Sequence, residues 1–179
     1  MRPSKALYAA SLWLLFTLST ASAQTTDRCS LPRDLQSQLA TFHGGARVIT
    51  VEDLEDDDRR YFEKDHGNAC PGRTEVDFYG DGAPTLALVV NDYSGEKQRT
   101  ELVLAHRVSD RWHLVSLETG DQLPNAPVVW SQPPGKYPDI YGEKTMIAKR
   151  PVIVFCKYEA WAIVYSWTGT RVDKVWISD

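Results

Sequence analysis

The sequence predicts an α+β protein: two N-terminal helices packed on a curved, mainly antiparallel sheet that ends in a C-terminal β-meander. Three observations carry this. Apolar residues recur at helical spacing only up to about residue 66. From Thr74 onward they alternate with period two, and Gly, Pro, Asn and Asp punctuate the runs. Helices that precede the strands, rather than alternate with them, point to α+β architecture.

The chain of 179 residues opens on a segment outside that fold. Arg2 and Lys5 precede an apolar run, Leu7 to Leu18, and Ala21-Ser22-Ala23 has the small-x-small form of a cleavage site. This order describes a secretory signal peptide over 1–23. The run is shorter than the roughly 20 residues that span a bilayer. An uncleaved N-terminal anchor is the alternative. Residues 24–179 are expected to form one globular domain, secreted or periplasmic, with no membrane span after signal cleavage.

Ser30 to Phe42 reads as a helix. Ser30 is a suitable N-cap, Pro32 fits a first turn, and Leu31, Leu35, Leu39 and Phe42 share one face. Gly44 and Gly45 supply a left-handed stop. His43, beside them, reads as a dipole partner or a solvated side chain. After a short extended piece, Arg47 to Thr50, a second helix is expected over Val51–His66. Thr50 caps it, and Asp53 completes a carboxylate form of the capping box. Its early turns carry Glu52, Asp53, Glu55, Asp56, Asp57 and Asp58, and its later turns Arg59, Arg60 and Lys64, the order a helix dipole favours. The acidic run therefore reads as a solvated face rather than a metal site. Val51, Leu54, Tyr61 and Phe62 form the expected inner face.

Strands follow at Thr74–Tyr79, Thr85–Asn91, Gln98–Ser109 and Arg111–Thr119. Ser94-Gly95-Glu96 and Ser109-Asp110 are the expected turns. Gly120–Gly142 carries Pro124, Pro127, Pro133, Pro134 and Pro138 and is expected to be a long loop with one short strand, Val128–Trp130. The meander is Pro151–Cys156, Trp161–Trp167 and Arg171–Ile177.

The formal net charge is −4. No Lys/Arg cluster stands against it, which argues against nucleic acid as a partner. Three cysteines, Cys29, Cys70 and Cys156, sit in a chain expected to be exported, where disulfides persist. Sequence cannot fix the pairing. Cys29–Cys70 is favoured because it ties the N-terminal helices to the sheet; three free thiols are the alternative.

The stretch Asp77-Phe78-Tyr79-Gly80-Asp81-Gly82-Ala83-Pro84-Thr85 joins two strands through an acidic glycine turn. Oxygens at alternate positions of a tight turn can face one centre, as hard cations require, and glycine permits the left-handed curl. Asp77 and Asp81 are the expected ligands, with the Ala83 carbonyl and the Thr85 hydroxyl or a bridging water. A turn capped by its own Asp side chains is the alternative. From Asp77 to Ala87 the stretch resembles the calcium loop of FG-GAP and VCBS-type repeats, Asp-Phe-Asn-Gly-Asp-Gly-x-x-Asp-Leu-Ala. The resemblance covers about a dozen residues, once, so it implies the loop and not a propeller of blades. It implies a Ca²⁺ site at Asp77, Tyr79, Asp81, Ala83 and Thr85. Tyr79 and Thr85 depart from the pattern, which expects an amide or carboxylate at each, and so imply a weak site. The chain as a whole resembles small exported bacterial proteins that carry one such loop.

Other constellations are thin. His66 and Cys70 have ligand-like spacing without a second pair. His106 and His113 flank one tight turn as cross-strand neighbours. Asp139, Glu143, Glu118 and Asp121 could supply a carboxylate pair for hydrolysis. The proline-rich stretch from Gln132 to Tyr141 offers a partner-binding loop through Lys136, Tyr137, Asp139 and Tyr141, because prolines reduce the entropy lost on binding and tyrosines anchor well. The expected function is a non-catalytic exported domain that binds a protein or cell-envelope component. A small envelope hydrolase and a calcium-stiffened structural module are the alternatives.

Overall fold

The computed structural model describes residues 27–42, 44–92, 99–121 and 126–179. The signal peptide, His43 and the Ser94–Glu96 turn lie outside the described residues, as do the side chains of Phe42 and Asp121.

The protein is mixed α+β with strands dominating. Helix α1 is Arg33–Phe42, and α2 is Asp56–His66. Eleven strands are described: β1 Arg47–Val48, β2 Arg73–Val76, β3 Thr85–Asp92, β4 Arg99–Val108, β5 Arg111–Asp121, β6 Val128–Gln132, β7 Gly135–Pro138, β8 Thr145–Ala148, β9 Val152–Lys157, β10 Trp161–Trp167 and β11 Val172–Ser178.

These strands do not form the single sheet their order suggested. One sheet runs β1-β3-β4-β5, with β2 also on β3; a second runs β11-β10-β9-β6; β7 and β8 make a separate ribbon. Every pairing is antiparallel. The reason lies in β3, whose residues from Thr85 to Asn91 are all buried. A strand apolar on both faces needs cover on both. Ala87 and Val89, with Leu102 and Leu104 of β4, face a central core completed by Ile153, Phe155, Ile163 and Tyr165 of the second sheet. Leu86, Leu88 and Val90 face the other way, onto Leu35 and Leu39 of α1. The second sheet repeats the device: Val152, Val154 and Val164 turn outward under Met146 and Ala148 of β8.

Both helices start later than the sequence suggested. The Gln36 N–H reaches the Pro32 carbonyl, so Pro32 rather than Ser30 precedes the first turn. The Thr50 N–H does meet the Asp53 carboxylate at 2.8 Å, but this cap opens only a 3₁₀ turn, Val51–Asp53. Leu54 is then extended (φ −88°, ψ 144°), and α2 begins afresh. The inner face of α2 carries Asp58 and Phe62; Tyr61 is exposed and bonds Glu159 instead.

The link between the sheets is Cys70-Pro71-Gly72. The Pro71 carbonyl accepts from Val129 N–H of β6 at 2.8 Å, and the Gly72 carbonyl from Val89 N–H of β3 at 2.9 Å. A Cβ at Gly72 would stand 2.5 Å from the Ile49 carbonyl oxygen, so only glycine fits. Cys70 is bonded to Cys29, the favoured pairing, and Cys156 is a free, buried thiol.

Replacing both Cys29 and Cys70 by serine should lower the unfolding free energy by about 3–4 kcal/mol, the chain-entropy value for a closed loop of this size. The cysteines are 41 residues apart. Urea melts check it; coincident midpoints would show that the bond contributes nothing. A second expectation concerns Asp58. Burial, with Glu55 adding to it, raises its carboxyl above the usual range. A folded-state pKa above the unfolded one gives stability that is complete below the unfolded value, about 4, and lost as pH rises through the folded value. Asp58→Asn should therefore lose less stability than the wild type between pH 4 and pH 7. Parallel stability–pH curves for the two proteins would refute this.

Candidate functional site

The acidic turn joins β2 to β3, with Val76 opposite Thr85. Phe78 is fully buried and fixes the turn to the central core. Gly80 and Gly82 take φ of 69° and 79°, the left-handed backbone expected of them.

The oxygens of the turn are taken up largely by protein partners. Asp81 accepts from the Ala83 N–H (3.0 Å) through Oδ1 and meets His106 Nε2 (3.0 Å) through Oδ2. The Ala83 N–H, seconded by the His106 ring, holds the Asp81 carboxyl below its usual range. His106 Nδ1 lies 3.0 Å from the hydroxyl of Thr85, which is wholly buried. A proton on Nε2 satisfies the whole relay: the ring donates to Asp81 and accepts from Thr85. Asp77 makes only a long contact, 3.4 Å, from the Gly82 N–H. The Tyr79 carbonyl accepts from the Arg150 guanidinium at 2.5 Å. Arg150 also fills the space beside Gly80, where a Cβ would stand 2.3 Å from its Nε. Three of the five oxygen donors expected for Ca²⁺, those of Tyr79, Asp81 and Thr85, are thus committed to protein partners, and one of those partners is itself a cation. The residues present do not fit a calcium cage in this conformation. Among the described residues, no group of three or more His, Cys, Asp or Glu side chains could hold a metal.

Arg150 leads from the turn into a cleft. A cavity of about 390 Å³ lies between β8 of the ribbon, the end of β10 and the start of β11. Lys144, Lys149 and Arg150 line it, with Ser166, Trp167 and Asp173. The Trp167 ring stands edge-on to Tyr79, centroids 5.0 Å apart, and the Tyr79 ring lies 4.5 Å from His106. Turn and cleft are therefore one packed unit. A second cavity, about 370 Å³, adjoins it across Lys144 and is lined by Ile140, Tyr141 and Trp176.

The proline-rich stretch is not a loop throughout. Gly135–Pro138 is β7, paired with Thr145–Ala148. Pro138 is tolerated because a two-stranded ribbon is all edge. Of the partner-loop residues, Tyr137 is half-buried under the ribbon, its hydroxyl donating to the Pro133 carbonyl. It is a packing residue. Asp139 turns its carboxylate to the Glu143 N–H (2.8 Å). Lys136 and Tyr141 are exposed, Tyr141 to 73%.

Two of the four candidate hydrolytic carboxylates are engaged within the protein. Glu118 accepts from Tyr165 (2.8 Å) and Lys174 (2.7 Å), while Asp139 closes its own turn. Zinc at His66 and Cys70 is excluded by the disulfide; His66 lies against the rings of Phe62 and Trp130. His106 and His113 are cross-strand partners as expected, but His106 is buried while His113 is exposed.

Reading the sequence missed Arg150, Lys149 and Trp167 as site residues, and missed the role of His106. The Lys149-Arg150-Pro151 stretch was the available signal for the first two: paired cations before a strand in an acidic chain. Comparison with family models, curated proteins and solved structures finds no match. Fold and site together define a disulfide-linked, strand-dominated α+β protein with an internally locked acidic turn beside a cationic cleft.

An ion bound at a hundredfold excess over its Kd stabilises by about 2.7 kcal/mol. No such gain is expected here: millimolar Ca²⁺ and chelator should give the same melting temperature. A calcium-dependent rise of several degrees would show that the turn rearranges into a cage.

Proposed function

We propose that this is an exported, non-catalytic domain that binds a cell-envelope component or a protein there, through the face formed by the β7–β8 ribbon and β11. The carrying observation is Tyr141, exposed to 73%, on the same cavity wall as Trp176, exposed to 42%. Exposed aromatics beside a cavity and near lysines are what binding surfaces concentrate. The pair is also held in place. The Ile140 N–H donates to the Trp176 carbonyl at 2.9 Å, and Asp139 closes the turn that carries Tyr141. Anchors fixed before binding lose little entropy on contact.

Export is supported by the signal-like N-terminal segment and by the Cys29–Cys70 bond, which suits an oxidising compartment. No helix of the described residues is long and apolar enough to cross a membrane. The non-catalytic reading is supported by Glu118 and Asp139, each already committed within the protein.

The test is co-sedimentation of the purified oxidised protein with washed envelope fragments. Tyr141→Ala should weaken retention about tenfold, the loss of a central aromatic anchor, with an unchanged melting temperature. Equal retention of the wild type and the variant would remove this face from consideration.

A further inference from the structure

The cleft beside the acidic turn reverses the charge of the molecule around it. The chain carries a formal net charge of −4. Yet Lys144, Lys149 and Arg150 all line one cavity. None of the three has a carboxylate partner among the described residues: the ion pairs there join other groups, and Arg150 donates to a neutral carbonyl. The acid on the cleft wall, Asp173, is drawn to Arg171 at 2.8 Å. Lys174, also on the cleft wall, is paired with Glu118 at 2.7 Å. Neighbouring cations repel one another, and an uncompensated group of them is normally relieved by interleaved acids. Here the acid on the wall is engaged elsewhere.

The cavity has the chemistry to use that charge. Arg150 gives one N–H to Tyr79, and a guanidinium has five donors, so several remain for a planar or tetrahedral oxyanion. Its position is fixed by Gly80 and the Tyr79 carbonyl, so little order has to be gained on binding. Ser166, 3% exposed, adds a hydroxyl-bearing side chain to the wall, and Met146 and Trp167 add apolar surface. About 390 Å³ suits a ligand of monosaccharide size, within the usual range for small-molecule sites.

We propose that this cleft binds an oxyanion, a phosphate or carboxylate group, carried on a ligand about the size of one sugar. The inference rests on reading the ribbon–β11 face as a binding surface and names the chemistry taken at its cationic end. Arg150 is the fixed donor, and Lys144 and Lys149 supply mobile positive charge at the rim.

The experiment is an NMR titration of the oxidised protein, following amides of residues 145–147 and 166–168. The probes are glucose 6-phosphate, glucuronate, inorganic phosphate and neutral glucose. Saturable shifts are expected with the anions and not with glucose, and they should weaken at high salt. The relative response to glucose 6-phosphate and glucuronate tells a phosphate source from a carboxylate source. Lys144→Gln/Lys149→Gln should weaken binding by roughly tenfold or more at an unchanged melting temperature; Arg150 is left intact because it also supports the Tyr79 turn. Three results would overturn the proposal: no saturable shift with any anion, an equal response to glucose, or anion binding indifferent to the double substitution. Tyr141→Ala should keep its anion response. Envelope retention that survives while anion binding fails would therefore sink this inference alone.

Discussion

Two successive carbonyls, those of Pro71 and Gly72, fasten one sheet to the other. One accepts from β6 and the next from β3, so two consecutive peptide units tie an edge of one sheet to the other. The arrangement needs a residue without a side chain, because the Ile49 carbonyl already occupies the Cβ position at Gly72. It also needs an anchored chain, which the neighbouring Cys29–Cys70 bond provides. With this seam in place, the apolar inner faces of β3, β4, β9 and β10 meet and exclude water, which is the main favourable term in folding.

The same seam brings the acidic turn against the second sheet. Tyr79 then meets Trp167, and its carbonyl meets Arg150. A buried hydroxyl and a buried imidazole in such a place must be paired, since leaving either without a partner costs roughly 1–3 kcal/mol. Thr85, His106 and Asp81 satisfy one another, and the turn becomes rigid through its own contacts. A cation is supplied to its outer side by the protein itself, as Arg150.

Charge is distributed accordingly. Acids crowd the first turn of α2 and its approach, while the ribbon and the β8–β9 turn hold lysines and an arginine. An acidic total therefore misdescribes the cleft. The acidic composition argued against nucleic acid as a partner, but it averaged away a local cationic cleft.

Much was legible from the amino acids alone. The Ser109-Asp110 turn, with φ of 48° and 64° at its two residues, joins β4 and β5 where alternation stops on either side. The β9–β11 meander stands where period two placed it, and the Thr50–Asp53 cap forms. These features depend on neighbours a few residues away, which a linear reading contains. The β7–β8 ribbon was hidden because prolines argue against strands unless the strand is an edge, and an edge is defined only by what fails to pair with it. The division into two sheets, the Asp81–His106 contact across 25 residues and the Arg150–Tyr79 contact across 71 were decided by tertiary structure. Each depends on strand register and on which faces meet, and hydrophobic pattern marks a residue as inward without saying what it will find there.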